Sequence, residues 1–184
     1  MGKVFDAIDE RMREWLQAQR MFFIATAPLS GDGLVNLSPK GLESFAVLGP
    51  HRVAYLDLTG SGIETVSHLR ENGRITLLFS AFEGPPRLVR LYGRGEVLLP
   101  GAADFDEIAA LFPHYPSARA GIRIHVTRIA DSCGYGVPLY AYQGERTQLT
   151  DWASSKDEAG LRAYRAANNA RSLDGLPGLG TEGE

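Results

Sequence analysis

Val4, Phe5, Ile8, Met12, Trp15 and Leu16 recur at helical spacing with acidic, Arg and Gln residues between them, which predicts an amphipathic helix over residues 3–19. At Met21 the period changes. MFFIATAP is a dense apolar run closed by Pro28 and the turn cluster Ser30-Gly31-Asp32-Gly33, the pattern of a buried strand entering a hairpin. LVNLSPKG returns as a second strand, with Pro39 marking a bulge or a sheet edge. RVAYLDL follows the Gly49-Pro50 turn as a third. IETVSHLREN breaks the alternation and predicts a short helix ended by a left-handed cap at Asn72-Gly73. RITLLFSAF and RLVRLYGRGEVLL read as strands, the latter bent or bulged at Gly93 and Gly95. Residues 104–111 predict another short helix, and IRIHVTRI a sixth strand. The expected class is mainly β with short helices: six antiparallel strands joined largely by hairpins and closed into a small barrel.

Length fits this as one unit. The 184 residues are expected to form a single domain, with an N-terminal helix over 1–20, a barrel over 21–130 and a C-terminal extension over 131–184. Within the extension DEAGLRAYRAANN has helical character, and LDGLPGLGTEGE reads as an extended arm that frays at its end. Nineteen Lys and Arg against 22 Asp and Glu give a formal net charge of −3, too acidic for a nucleic-acid coat. No apolar run is long enough to cross a bilayer, and acidic residues stand where a secretory signal would be apolar. A cytoplasmic location is therefore expected. The single cysteine, Cys133, forms no internal disulfide, and the four histidines lack the paired spacing of a metal site, so no metal is expected.

The window Thr59-Gly60-Ser61-Gly62-Ile63-Glu64-Thr65 joins a strand to a helix through small residues. Such a junction leaves backbone N–H groups free at the positive end of the helix, and Thr59, Ser61 and Thr65 add hydroxyls, so the chemistry suits a phosphate. A second reading takes Ser61 and Glu64 as a capping box, S-x-x-E, which needs no ligand.

The order FIATAP, GLVNLSPKG, RVAYLDLTGSGIETVSHLRENGRITLLF and RLVRLYGRGEVL, from about Met21 to Arg128, resembles the flavin-binding split barrels related to pyridoxamine 5′-phosphate oxidase. The resemblance implies a split barrel with FMN held between Lys40-Gly41, the turn from Thr59 to Thr65, and Glu71-Asn72-Gly73-Arg74. It places Asn36, Leu37, Ser38 and Lys40 along the isoalloxazine edge, and Thr59, Gly60, Ser61, Gly62 and Thr65 beside the ribityl chain and phosphate. Two departures stand out. Glu64 and Thr65 occupy the places of the family's phosphate-binding Arg and Lys, which leaves the hold on the phosphate to hydroxyls and helix N–H groups, with Lys40, Arg87 and Arg90 as candidate cations. Leu111, Tyr115 and Arg119 fall where the vitamin oxidases hold their substrate's phosphate with Tyr, Arg and Ser. The resemblance therefore implies an FMN-dependent oxidoreductase with a different small substrate. It also implies a homodimer with two flavins at the subunit interface, without nucleic-acid or membrane partners.

Cys133, Tyr135 and Trp152 are candidate walls of the substrate pocket, and core packing is the competing role for each. No acid–base pair or nucleophile stands out, so the catalytic residues stay unassigned. His68 fits either a face shared with the phosphate site or a helix-surface or dimer contact. A non-catalytic flavin carrier or redox sensor, or a haem or deazaflavin protein on the same barrel, is the alternative reading.

Overall fold

The computed structural model describes residues 2–179. The strands are β1 (Val4–Phe5), β2 (Phe22–Thr26), β3 (Asn36–Lys40), β4 (Phe45–Gly49), β5 (Arg52–Leu58), β6 (Arg74–Ser80), β7 (Leu88–Leu98) and β8 (Ala118–Ser132). The helices are α1 (Glu10–Gln17), α2 (Glu64–Asn72), α3 (Ala103–Ala109), α4 (Gln148–Ser154) and α5 (Glu158–Asn168). All pairings are antiparallel, in one sheet of order β3-β2-β6-β7-β8-β5-β4, with β1 added beside β8. The predicted class holds, but the sheet has eight strands rather than six. β4 was hidden because SFAVLG is short and sits between glycines; β1 is only two residues long.

The N-terminal helix is also shorter than its periodicity suggests. Asp9 caps α1 by accepting from the Met12 N–H, and Val4 and Phe5 upstream pair with Ala130 and Ile129. The apolar spacing thus spans a strand and a helix that cover the same core.

Alternation explains the barrel interior. Phe22, Ile24, Leu77, Phe79, Leu91, Ile122 and Ile124 point inward from four strands, and Met12 and Leu16 of α1 join the same cluster. Phe22 and Phe79 stack at 5.2 Å between ring centroids, and Phe45 and Tyr55 close the aromatic group. A second cluster, Leu56, Leu98, Phe105 and Ile108, packs α3 on the outside.

Two glycine readings hold. Gly73 ends α2 in the left-handed region at φ 69°, and the β7–β8 register shifts between Tyr92 and Gly93. Pro39 lies on β3, an edge strand. The arm over residues 169–179 runs back along α2, with Arg70 donating to the Gly178 carbonyl; the expected fraying at the end falls on residues outside those described. Among the described residues no helix is long and apolar enough to cross a membrane.

Candidate functional site

The sheet curls until Lys40, at the end of β3, reaches Asp57 on β5, Nζ to Oδ1 at 2.7 Å. This contact bridges the split between the two ends of the sheet. Beside it lies a cavity of about 630 Å³, walled by Pro39, Lys40 and Gly41, by Leu56, Leu58, Thr59 and Gly60, and by the strap from Tyr142 to Leu149. That size is ordinary for a cofactor pocket. A larger chamber of about 1280 Å³ adjoins it and shares Arg20, Met21, Tyr142 and Arg146.

β3 displays its residues by alternation. Asn36, Ser38 and Lys40 turn inward, while Leu37 is 66% exposed. Ser38 donates to Asn36 Oδ1, and Asn36 Nδ2 donates to both Thr26 Oγ1 and Thr65 Oγ1 at 3.0 Å. Thr26 bonds His68 Nδ1 at 2.9 Å. His68 is fully buried, which excludes the helix-surface alternative of its two readings, and burial lowers its pKa while Asp174, Glu64 and Glu71 push the other way.

The capping box does not form. Ile63, not Ser61, is the N-cap of α2, and no side chain caps the helix. Glu64 instead accepts from the Leu173 N–H through Oε1. The first-turn N–H groups of α2 are thus left without a protein cap, as an anion site requires.

Thr59 is committed elsewhere: its N–H and hydroxyl both donate to Ser117 O, and Arg165 Nε donates to its Oγ1 at 2.9 Å. Arg119 was the residue sequence reasoning underrated. Its guanidinium meets Asp57 Oδ2, the carbonyls of Gly60 and Gly62, and Asn169 Oδ1. Burial first, then the neighbouring Arg119, lower the Arg165 pKa. The only sequence signal for this cluster was Asp57 in an otherwise apolar strand, a buried charge needing partners.

Lys40, Thr59 and Gly60 line the smaller cavity, with Ser61, Gly62 and Thr65 following in the adjoining turn and helix. Arg90 is not brought there; near the start of β7 it donates to Ser132 Oγ at 3.0 Å. Arg87 lies over the Trp15 ring at 4.8 Å and 3.9 Å from Asp131. Cys133 is exposed rather than a buried hydrophobe, and with Tyr135 it lines the larger chamber. Trp152 lines neither cavity and packs edge-on against Tyr164 at 4.9 Å.

Residues 8–133 match the family model described as pyridoxamine 5′-phosphate oxidase. The chain belongs to this family. It is 39% identical over 193 residues to the pyridoxamine 5′-phosphate oxidase family protein ustO of Aspergillus flavus, covering 95% of this chain and 77% of that protein. Among solved structures, a HupZ variant from Group A Streptococcus superposes with a TM-score of 0.53 at 23% identity, over 68% of this chain and 99% of that one. A Lactobacillus delbrueckii protein provisionally described as a pyridoxamine 5′-phosphate oxidase gives a TM-score of 0.53 at 18% identity, over 69% and 98%. These likenesses establish the split-barrel fold of the family.

Proposed function

We propose that the protein binds FMN and transfers hydride or electrons between the flavin and a small substrate, as a homodimer with a flavin at each of two equivalent interface sites. The observation that carries this reading is the 630 Å³ cavity, in which Lys40 and the turn that begins at Thr59 and Gly60 meet, with the uncapped start of α2 following that turn. The donor set suits a planar anionic cofactor. Pro39, Leu56, Leu58 and Tyr142 offer apolar and aromatic surface, while Lys40, Arg20 and Arg146 add positive charge on the walls. None of the four histidines lines this cavity, which favours a flavin over haem.

When bound, the flavin supplies the redox chemistry. The chain's part is to bind and orient. Asn36, locked to Thr26 and Thr65, and Ser38, which donates to Asn36, form a fixed polar row along β3. Lys40, held by Asp57, keeps a cation at one fixed place on the wall and stabilises negative charge arising near it. The larger chamber, with Cys133 and Tyr135, is the substrate side, opening onto the cofactor cavity through their shared wall. Leu34, Val35 and Leu37 are 54–74% exposed around β3, and this apolar edge supports a subunit contact there. An exposed, unpaired Cys133 is consistent with a reducing, cytoplasmic compartment.

The test is the absorption spectrum of the purified protein, before and after incubation with FMN. Flavin bands that shift on binding support the reading, and a protein that takes up no flavin overturns it. Turnover of flavin-loaded protein with reduced nicotinamide and an electron acceptor then separates the oxidoreductase from a non-catalytic carrier.

A further inference from the structure

Arg119 and Asn169 act on the backbone of the turn that precedes α2. Arg119 Nη2 donates to Gly62 O at 2.8 Å, Arg119 Nη1 to Gly60 O at 3.3 Å and to Asn169 Oδ1 at 2.9 Å, and Asn169 Nδ2 to Gly60 O at 2.9 Å. All four groups converge on the protein side of the turn. Asn169 is fully buried and Arg119 is 5% exposed, while Ser61 and Gly62 are exposed. In a planar trans peptide the C=O of one residue and the N–H of the next point in opposite directions. Drawing the Gly60 carbonyl inward therefore turns the N–H of the exposed Ser61 outward, whereas Ile63, which follows the Gly62 carbonyl, is buried. The Ser61 N–H and hydroxyl stand just before the uncapped start of α2, where the helix end favours an anion.

We infer that Arg119 and Asn169 are positioning residues for the cofactor phosphate, setting the Gly60–Ser61 peptide plane whose N–H faces it. The inference rests on the flavin reading above and adds a role for the C-terminal extension. Asn169 caps α5, beyond the residues matched by the family model, so the extension completes the phosphate turn from behind. The flanking contacts point the same way. Arg165 of α5 holds Thr59, and Leu173 and Gly178 of the arm meet Glu64 and Arg70 on α2. The carboxylate of Glu64 also lies over Gly62, 2.5 Å from where a Cβ there would stand. The turn therefore depends on backbone donors, since the side chain beside it repels an anion.

Asn169→Ala removes the bond to Gly60 O and the acceptor of Arg119 Nη1, and leaves the Arg119–Asp57 pair in place. FMN and riboflavin share the ring and differ in the phosphate, so their dissociation constants, measured by flavin fluorescence quenching, isolate the phosphate contribution. The expected result is FMN binding weakened ten-fold or more with riboflavin binding changed less than two-fold. Equal weakening of both ligands, or no change in either, overturns the inference and leaves flavin binding standing. A wild-type protein that binds neither ligand overturns the flavin reading and this inference together. If Asn169→Ala does not fold, Asn169→Ser is measured in the same way, with the same outcomes.

Discussion

Arg119 Nε donates to Asp57 Oδ2 at 2.8 Å while Lys40 occupies the other carboxylate oxygen at 2.7 Å. One wholly buried acid thereby fixes two cations from opposite parts of the sheet: Lys40 on the cavity wall, and Arg119 under the turn. Burial by itself raises the carboxyl pKa of Asp57, but Lys40 and Arg119 together hold it below the ordinary value. A folded-state pKa below the unfolded one gives stability that is fully present above the unfolded value of about 4. It is lost as the pH falls through the folded value.

Asp57→Ala is expected to destabilise the protein by roughly 3–5 kcal/mol, because two cations lose their buried partner. Urea denaturation at pH 7 measures this. Asp57→Asn should also lack the acid-side slope, so its stability gap from wild type narrows as the pH falls below about 4. A constant gap across that range would count against the ion pairs.

His68 behaves in the opposite chemical sense with the same pH direction. Its lowered pKa favours the neutral ring in the folded state. The unfolded chain therefore binds more protons below about pH 6.5, and stability falls as the pH drops below that value. Asp174 Oδ2 stands 4.0 Å from His68 Nε2 and softens this loss. Thermal melts at pH 7.5 and 5.5 should show a larger drop for Asp174→Asn than for wild type.

Much of this architecture was legible from pattern, because alternation and terminal caps are local. The RVAYLDL and RITLLFS strands and the α2 stop at Gly73 appear where their residues place them. What escaped were contacts made at long range. Thr59 looked like a phosphate donor, but its hydroxyl is spent on Ser117 and Arg165, 58 and 106 residues away. Ser61-x-x-Glu64 spelled a cap, yet the arm at Leu173 takes the Glu64 carboxylate. Arg119 stood only as a departure from the family's substrate set, because its partners, Asp57 and Asn169, are 62 and 50 residues distant.

Glu64→Gln keeps an acceptor for Leu173 and removes a charge beside Gly62. FMN affinity should rise about three- to ten-fold at low salt, as removing one partly screened repulsion is worth on the order of 1 kcal/mol. The gain should shrink as salt is added, which a titration at two ionic strengths checks. Riboflavin affinity should not move.

Gly93 and Gly95 were equivalent in the sequence, as small residues in a long strand, but their surroundings separate them. A Cβ on Gly93 would stand 2.2 Å from the His125 carbonyl oxygen, where the register shift brings two backbones together. That neighbour is main chain within the β7–β8 ladder and has no rotamer to change. A Cβ on Gly95 meets instead the two methyl carbons of Leu69, at 2.8 and 3.0 Å, the movable end of a side chain on α2. Gly93→Ala should therefore cost about 3 kcal/mol or more, and Gly95→Ala about 1 kcal/mol, the usual range for overpacking that a side chain can relieve. Chemical denaturation of both variants decides between this ranking and a bulge centred on Gly95, which would reverse it.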